Sequence, residues 1–214
     1  MEDVEHEEGS SSQKDNTVTE YRRGAEGKVR IGLSDGSSFF VSEASEICGL
    51  LRLECVVDAS LLAALENESA RFTARMKAIE LLSRREHSGR ELQLKLKKRG
   101  FDAEVIAVVV EDLCREGYID DFRYAELWAA SRLRRHPEGR HLLSAGLRKR
   151  GIDRQIIAQV LDDLLTEEVV DAALAQALEK IRRNRTLDPD YLMKKMSARG
   201  FSYRQIQAHL QNLK

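Results

Sequence analysis

The chain has 214 residues, of which 42% are apolar, 33% charged and 6% aromatic. The apolar content is sufficient for a folded core, and the high charge content indicates exposed helices rather than one large globule. The 35 basic and 36 acidic side chains give a net charge of -1, which excludes a uniformly basic nucleic-acid binder. The charges are unevenly divided: residues 1–69 carry 6 basic and 15 acidic side chains, whereas residues 70–214 carry 29 and 21. We therefore expect two parts with different roles.

The three cysteines, Cys48, Cys55 and Cys114, are odd in number and lack CxxC or zinc-finger spacing. This pattern favours reduced thiols over a disulfide framework or a structural zinc site. The first 16 residues contain no apolar segment typical of a secretion signal, and no run of about 18 apolar residues occurs in the chain. We expect a soluble, cytoplasmic protein with no membrane contact.

Residues 1–16 contain six acidic side chains, one lysine and a Gly-Ser run. Their apolar content is too small to offset the entropy lost on folding, so we expect a disordered acidic tail. Apolar residues then alternate with others at Val29, Ile31 and Leu33, which is the period of a half-buried strand. Asp35-Gly36 is a typical hairpin turn, and the β-prone residues 39–41 follow it.

Other segments of this N-terminal part are less definite. Residues 17–23 are a possible third strand, and residues 43–57 are compatible with either helix or strand. Asp58 is a suitable N-cap for a helix that runs through Leu65. We expect residues 17–69 to form a small β-hairpin module with a linker helix.

The remainder of the chain contains three copies of one pattern. Aligning Gly100, Gly151 and Gly200 places KKRGFDAEVI, RKRGIDRQII and SARGFSYRQI in register. Apolar residues then coincide on both sides of each glycine, at eight and four residues before it and at one, six, ten and thirteen after it. The first copy has Leu92, Leu96, Phe101, Ile106, Val110 and Leu113; the second has Leu143, Leu147, Ile152, Ile157, Leu161 and Leu164; the third has Leu192, Met196, Phe201, Ile206, Leu210 and Leu213. The pattern predicts two helical faces per copy.

Each glycine is predicted to end a helix in the left-handed conformation, with the next apolar residue packed back on that helix. Asp102, Asp153 and Ser202 are placed to cap the helix that follows. A further helix is predicted before each pair, at residues 74–86, 122–135 and 167–183. The boundaries of the three repeats are therefore 70–117, 118–166 and 167–214.

These patterns predict a mainly α fold: three tandem three-helix repeats that form an elongated rod, preceded by the small β-hairpin module. A β-branched residue at Gly151 would be forced to positive φ, so we expect Gly151→Val to destabilise the chain by about 1–2 kcal/mol or more. Gly146 stands inside a predicted helix, where glycine costs about 1 kcal/mol relative to alanine, and close helix packing is one explanation.

Catalytic patterns are lacking. Gly24–Lys28 resembles a phosphate-binding loop, but its glycines are too close together and Val29 stands where such a loop needs Ser or Thr. The histidines show no metal-ligand spacing, so His87, His136, His141 and His209 are interpreted as solvated side chains. Asp120-Asp121 is interpreted as a helix start rather than an acid/base pair. We expect neither an enzyme nor a cofactor, metal or small-molecule substrate.

Basic clusters recur near the predicted helix ends. One interpretation is a set of solvated helix faces; the other, which we favour, is a basic stripe that binds a partner. Trp128 lies among Ala and Leu at helical spacing, so it is expected in the core rather than stacked on a nucleic-acid base. Reversal of Arg132 and Arg135 is expected to leave the fold intact. The residues predicted to bind are Arg84, Arg85, Lys97, Lys98, Arg99, Arg132, Arg134, Arg135, Arg148 and Lys149.

Four runs together resemble the RecX family of bacterial regulators of the RecA recombinase: AIELLSRREHSGREL at 78–92, KKRGF at 97–101, GYIDDFRYAE at 117–126 and RKRGI at 148–152. The resemblance extends over about residues 70–214, and the N-terminal hairpin is similar to a β module that some members carry. It implies a non-enzymatic regulator that lies in the groove of the RecA–DNA filament. There it would restrain ATP hydrolysis, strand exchange and repressor cleavage.

Two alternatives stay open at this point. One is a direct DNA-binding protein in which each repeat acts like a helix-turn-helix unit, and it predicts submicromolar affinity for naked single- or double-stranded DNA. A filament regulator requires only weak association with DNA alone. The other alternative is a helical scaffold unrelated to DNA, with the basic clusters as solvated surface.

Overall fold

The structure, a computed structural model, describes residues 16–182 and 188–212. The predicted disorder of residues 1–15, the end of the helix predicted to Arg183 and the apolar position Leu213 lie outside the described residues. The chain divides into two compact units, residues 1–77 and 78–214. The described residues are mainly helical, as the sequence pattern predicts.

The first unit contains a four-stranded antiparallel sheet with the order β3-β2-β1-β4. Its strands are β1 Asn16–Arg23, β2 Lys28–Leu33, β3 Ser38–Ser42 and β4 Val56–Val57. A short helix, α1 Glu46–Leu50, lies between β3 and β4, and a 3₁₀ turn at Ala25–Gly27 joins β1 to β2. The predicted alternation in β2 is confirmed, since Val29, Ile31 and Leu33 are buried and Arg30 is exposed.

The turn between β2 and β3 lies at Asp35-Gly36, where the sequence places it. Gly36 has φ of +87°, and the Leu33 amide donates to the Ser37 carbonyl over 2.9 Å. The Asp35 carboxylate accepts hydrogen bonds from the Ser37 hydroxyl at 2.6 Å and amide at 2.8 Å. These bonds lower the pKa of Asp35 and hold the turn in place.

The first unit agrees with the prediction at the Asp58 cap and differs from it in three other respects. Residues 17–23 do form a strand, and that strand includes Asn16, which was assigned to the disordered tail. The ambiguous segment 43–57 contains both a helix and a strand. Asp58 accepts a hydrogen bond from the Leu61 amide over 2.8 Å, as expected of a cap. The helix that follows, α2 Ala59–Leu82, is continuous, because the chain between the two predicted helices has no glycine or proline to stop it; it ends at Leu82 rather than residue 86.

The second unit contains the end of α2 and the remaining helices of the described chain. Repeat 1 comprises the end of α2 with α3 Gly89–Lys97 and α4 Ala103–Arg115. Repeat 2 comprises α5 Asp121–Arg135, α6 Arg140–Lys149 and α7 Arg154–Leu164. Repeat 3 comprises α8 Glu167–Arg182, α9 Pro189–Ala198 and α10 Tyr203–Asn212. The prediction of tandem three-helix repeats is confirmed.

The middle helices α3, α6 and α9 end alike. Gly100, Gly151 and Gly200 have φ of +86°, +80° and +87°, in the left-handed region. In each repeat the next residue donates its amide to a carbonyl five residues earlier, for example Ile152 to Leu147 over 3.3 Å. The carbonyls belong to Leu96, Leu147 and Met196, whose side chains are fully buried. In each repeat, the same residue therefore accepts the hydrogen bond that ends the helix and anchors that helix in the core.

The caps of the third helices are less uniform than predicted. The Asp153 carboxylate accepts from the Gln155 amide over 2.7 Å, and the Ser202 hydroxyl accepts from the Gln205 amide over 3.3 Å. Asp102 occupies the same position but makes no side-chain cap hydrogen bond.

Close packing explains why a glycine stands inside α6. A Cβ at Gly146 would overlap the half-buried indole ring of Trp128.

Candidate partner-binding surface

The ten basic residues predicted to bind a partner lie at or just beyond helix ends. Two follow α2, three end α3, three lie in the last turn of α5 and two end α6. All except Arg132 are exposed. A basic side chain in the last turn also interacts favourably with the negative end of its helix. The structure therefore places most of the predicted set where a partner can reach it.

Ion pairs divide the set into two groups. Arg84 pairs with Glu80 at 2.7 Å, and Arg85 pairs with Glu91 at 3.0 Å. Arg99 donates to the Lys95 carbonyl over 2.9 Å. The remaining seven exposed members, Arg99 included, make no ion pair with any residue that the structure describes: Lys97, Lys98, Arg99, Arg134, Arg135, Arg148 and Lys149. These seven cations have no acidic neighbour that must be displaced before they bind an anion.

Arg132 differs from the freely exposed binding residue that the sequence pattern predicts. Its guanidinium donates to both carboxylate oxygens of Glu138, with N–O distances of 2.8 and 3.0 Å. The Glu138 side chain is only 8% exposed, so Arg132 compensates a buried charge. This ion pair argues against the expectation that reversal of Arg132 leaves the fold intact.

Consecutive repeats meet at two similar joints, in which the N-cap residue of one middle helix contacts the end of the next middle helix. At the first joint, the Ser88 hydroxyl donates to the Arg150 carbonyl over 2.7 Å. The Arg90 side chain covers Gly151, whose added Cβ would lie 2.6 Å from the Cβ of Arg90. The joint thus fixes the start of α3 against the end of α6.

At the second joint, the N-cap residue is Gly139 and the receiving glycine is Gly200. The Gly139 amide donates to the Arg199 carbonyl over 2.8 Å, and the His141 amide donates to the Gly200 carbonyl over 3.3 Å. A Cβ on Gly139 would overlap the Gly200 carbonyl oxygen, and a Cβ on Gly200 would lie 2.7 Å from that of Leu142. Only glycine allows this approach of two backbones.

A polar network of buried and partly buried side chains stabilises the first joint, and the sequence pattern did not indicate that its residues lie together. Glu91 accepts a hydrogen bond from the Tyr124 hydroxyl at 3.1 Å and from Arg85 at 3.0 Å. His87 lies 3.1 Å from Glu91 and is 1% exposed, so its interpretation as a solvated side chain is wrong. The guanidinium of Arg150 lies over the Trp128 ring at 4.5 Å. His209, half-buried and 3.6 Å from Asp171, is not freely solvated either.

Burial and hydrogen bonds set the charge states in this network. Burial lowers the pKa of His87 more than the neighbouring Glu91 raises it, so neutral imidazole is favoured. Burial works to raise the pKa of Glu91, but hydrogen bonds from His87 and Arg85 lower it overall. Asp121, in contrast, has a raised pKa because of burial. Its carboxylate accepts from the Gly89 amide over 3.0 Å and so joins the start of α5 to the start of α3.

Stability should decrease as the solution is acidified below neutral pH. Because the folded-state pKa of His87 is lowered, the unfolded chain takes up a proton below about pH 6.5 before the folded chain does. We therefore expect the melting temperature to fall across this range, and His87→Gln to reduce that fall. His136→Gln, at an exposed position, is the matched control. An identical pH dependence in wild type and His87→Gln would contradict this assignment.

Gly151→Val tests the first joint through comparison with Gly100→Val. Both substitutions place valine at positive φ, which costs about 1–2 kcal/mol or more. Only Gly151 is covered by Arg90, whereas a Cβ at Gly100 has no neighbour within 4 Å. We expect Gly151→Val to lower the free energy of unfolding further than Gly100→Val, as measured by denaturant titration. Equal losses would show that backbone strain alone determines the cost.

Metal sites and membrane-spanning helices were sought among the described residues. Within residues 16–182 and 188–212, no three His, Cys, Asp or Glu side chains are grouped so that they could hold a metal ion. In the same ranges, no helix combines the length and apolar character needed to cross a membrane. The three cysteines are free thiols.

The fold and its exposed cations define a helical repeat protein with a candidate surface for an anionic macromolecular partner. Two family models match it: "RecX, first three-helix domain" at residues 74–113 and "RecX, second three-helix domain" at 120–161. The regulatory protein RecX of Pelodictyon phaeoclathratiforme is 36% identical over 137 residues, which are 64% of this chain and 86% of that protein. RecX of Treponema pallidum is 34% identical over 131 residues, 61% of this chain and 79% of that protein. The chain belongs to the RecX family of regulatory proteins.

Solved structures support the same fold. A crystal structure of a regulatory protein RecX superposes with a TM-score of 0.73 at 22% identity, covering 90% of this chain and 99% of that one. RecX from Lactobacillus salivarius superposes with a TM-score of 0.60 at 21% identity, covering 67% and 96%. At these identities the likeness establishes architecture only.

Proposed function

We propose that this chain binds the RecA–DNA filament and mainly inhibits its ATPase, strand-exchange and coprotease activities, without catalysing a reaction itself. Membership of a family of regulatory proteins supports the class of function. The observation that carries the proposal is the group of seven exposed cations without an acidic partner among the described residues: Lys97, Lys98, Arg99, Arg134, Arg135, Arg148 and Lys149.

The chemistry of these residues suits a surface made of DNA phosphates and acidic protein side chains. Arginine forms bidentate hydrogen bonds to phosphate or carboxylate, and lysine supplies a mobile point charge. Such contacts position a protein on a nucleic acid without reading its sequence. Residues 70–214, which contain the repeats, have an excess of basic side chains although the whole chain is near neutral. We place this action in the cytoplasm, with no membrane or small-molecule partner.

A titration of the protein into a RecA–ssDNA ATPase reaction tests the proposal. The expected result is saturable inhibition of ATP hydrolysis, together with only weak binding to the same DNA in the absence of RecA. Unchanged hydrolysis at saturating protein would contradict it. Tight, salt-sensitive binding to naked DNA would favour a direct DNA-binding protein instead.

A further inference from the structure

The surface that receives a neighbour at both joints occurs a third time in the chain, and there no described residue covers it. Gly151 and Gly200, at the ends of α6 and α9, are each covered by the start of the preceding middle helix. Gly100 ends α3 in the same left-handed conformation, with φ of +86°. A Cβ built there meets no atom of the described chain within 4 Å. Repeat 1 therefore presents a free copy of a surface that this fold uses twice for docking.

The open copy differs from the covered ones in its charge environment. Arg150, the residue before Gly151, lies over Trp128 and is half-buried, whereas the corresponding Arg99 is exposed beside the exposed Lys97 and Lys98. Leu94, on the same helix, is 52% exposed. The C-terminal end of a helix is also its negative pole and attracts the positive N-terminal end of another helix. Acidic residues are favoured in the first turn of such a helix, and they would face the three cations.

The N-cap residues of the middle helices argue against a second copy of this chain as the occupant. Ser88 donates a hydroxyl hydrogen and Gly139 permits a close backbone approach, and each thereby contacts an arginine carbonyl. The corresponding residue in repeat 3 is Asp188. Its carboxylate oxygens are acceptors that would repel a carbonyl oxygen, and its Cβ does not fit where Gly139 lies. The start of α9 therefore lacks the features that dock α3 and α6.

We propose that the end of α3 docks the first turn of an acidic helix on a recombinase subunit. Leu94 supplies apolar contact, Lys97, Lys98 and Arg99 face the acidic side chains, and Gly100 lets the incoming backbone approach the helix end, as Gly200 does within the chain. This proposal rests on the proposed function, since it specifies which surface of the chain meets the protein component of the filament.

The test compares Gly100→Asn with Gly117→Asn. Gly117, which follows α4 in the same repeat, also has positive φ, at +76°, and open space around an added Cβ. Asparagine adopts the left-handed conformation more readily than other L-residues, so both variants should fold with equal, small losses of melting temperature. Neither changes a charge, so affinity and salt dependence for naked DNA should match wild type.

Binding to preassembled RecA–ssDNA filaments is measured by co-sedimentation, with labelled wild type and both variants. We expect Gly100→Asn to bind at least about tenfold more weakly than wild type, and Gly117→Asn to bind like wild type. Equal binding of the two variants would overturn the docking proposal and leave the proposed function standing. Failure of wild type to bind filaments would overturn both. Self-association of wild type that Gly100→Asn abolishes would identify a second copy as the occupant and overturn the proposal as well.

Discussion

Gly139→Ala should unfold the second unit at a distinctly lower temperature than wild type. The new methyl group would overlap the carbonyl oxygen of Gly200, which is backbone and cannot rotate away. Relief requires separation of repeats 2 and 3, with loss of the Gly139–Arg199 and His141–Gly200 hydrogen bonds. Overpacking of this kind, together with a poorer N-cap, costs about 2–4 kcal/mol. Circular dichroism melts followed in the helical signal measure the effect.

Two further variants distinguish the effect of crowding at the joint on stability from the effect of the residue at the helix start. Gly139→Ser restores a good N-cap residue, the one that repeat 1 has at Ser88, but keeps the added Cβ, so it should remain destabilised. Gly89→Ala lies at the beginning of α3, where a Cβ would make an ordinary contact of 3.8 Å with Val110. That variant should be neutral or slightly stabilising, because alanine is the better helix former. Similar melting of Gly139→Ala and Gly89→Ala would show that the close backbone approach contributes nothing to stability.

The repeats could be predicted from the sequence because the constraints on them are local. A glycine at positive φ, an apolar residue four positions earlier and another directly after it belong to one hydrogen-bonded motif, so three aligned copies reveal three helix ends. The joints could not be predicted in this way. The hydrogen bond from Ser88 to Arg150 spans 62 residues, and no periodicity within a helix indicates which carbonyl a serine will meet.

The residues of the candidate surface could likewise be predicted from the sequence only in part. Sequence clustering identified the exposed cations correctly as a group near helix ends, since helix ends follow from the repeat pattern. It gave no means to separate Arg132 from Arg135, which have the same chemistry and lie three residues apart. The difference comes from Glu138, which follows a proline in the connection to α6. Its buried side chain pairs with Arg132 near the end of α5. A glutamate in a connection is usually solvated, so its burial is visible only in three dimensions.

Charge reversal should therefore affect stability at Arg132 and function at Arg135. Arg132→Glu leaves the buried Glu138 carboxylate without its partner and adds a second negative charge beside it. Since Arg132 itself is 42% exposed, water screens part of the effect, and we expect a loss of about 2–4 kcal/mol in the free energy of unfolding. Denaturant titration measures this loss. Arg132→Met, which removes the charge without adding another, should be destabilised less.

Arg135→Glu should leave the free energy of unfolding nearly unchanged and weaken function. Its side chain is exposed and has no ion pair with a described residue, so reversal removes only the small favourable interaction with the negative end of α5. If it contacts a phosphate in the filament, inhibition of the RecA ATPase should require more protein. The slope of log affinity against log salt should decrease by about 0.7–0.9 for that one contact. Arg135→Lys, which keeps the charge, should recover most of the inhibition. Full inhibition by Arg135→Glu at the wild-type concentration and salt slope would mean that Arg135 lies on a solvated face, and the contact would then have to come from Lys97, Lys98, Arg99, Arg134, Arg148 or Lys149.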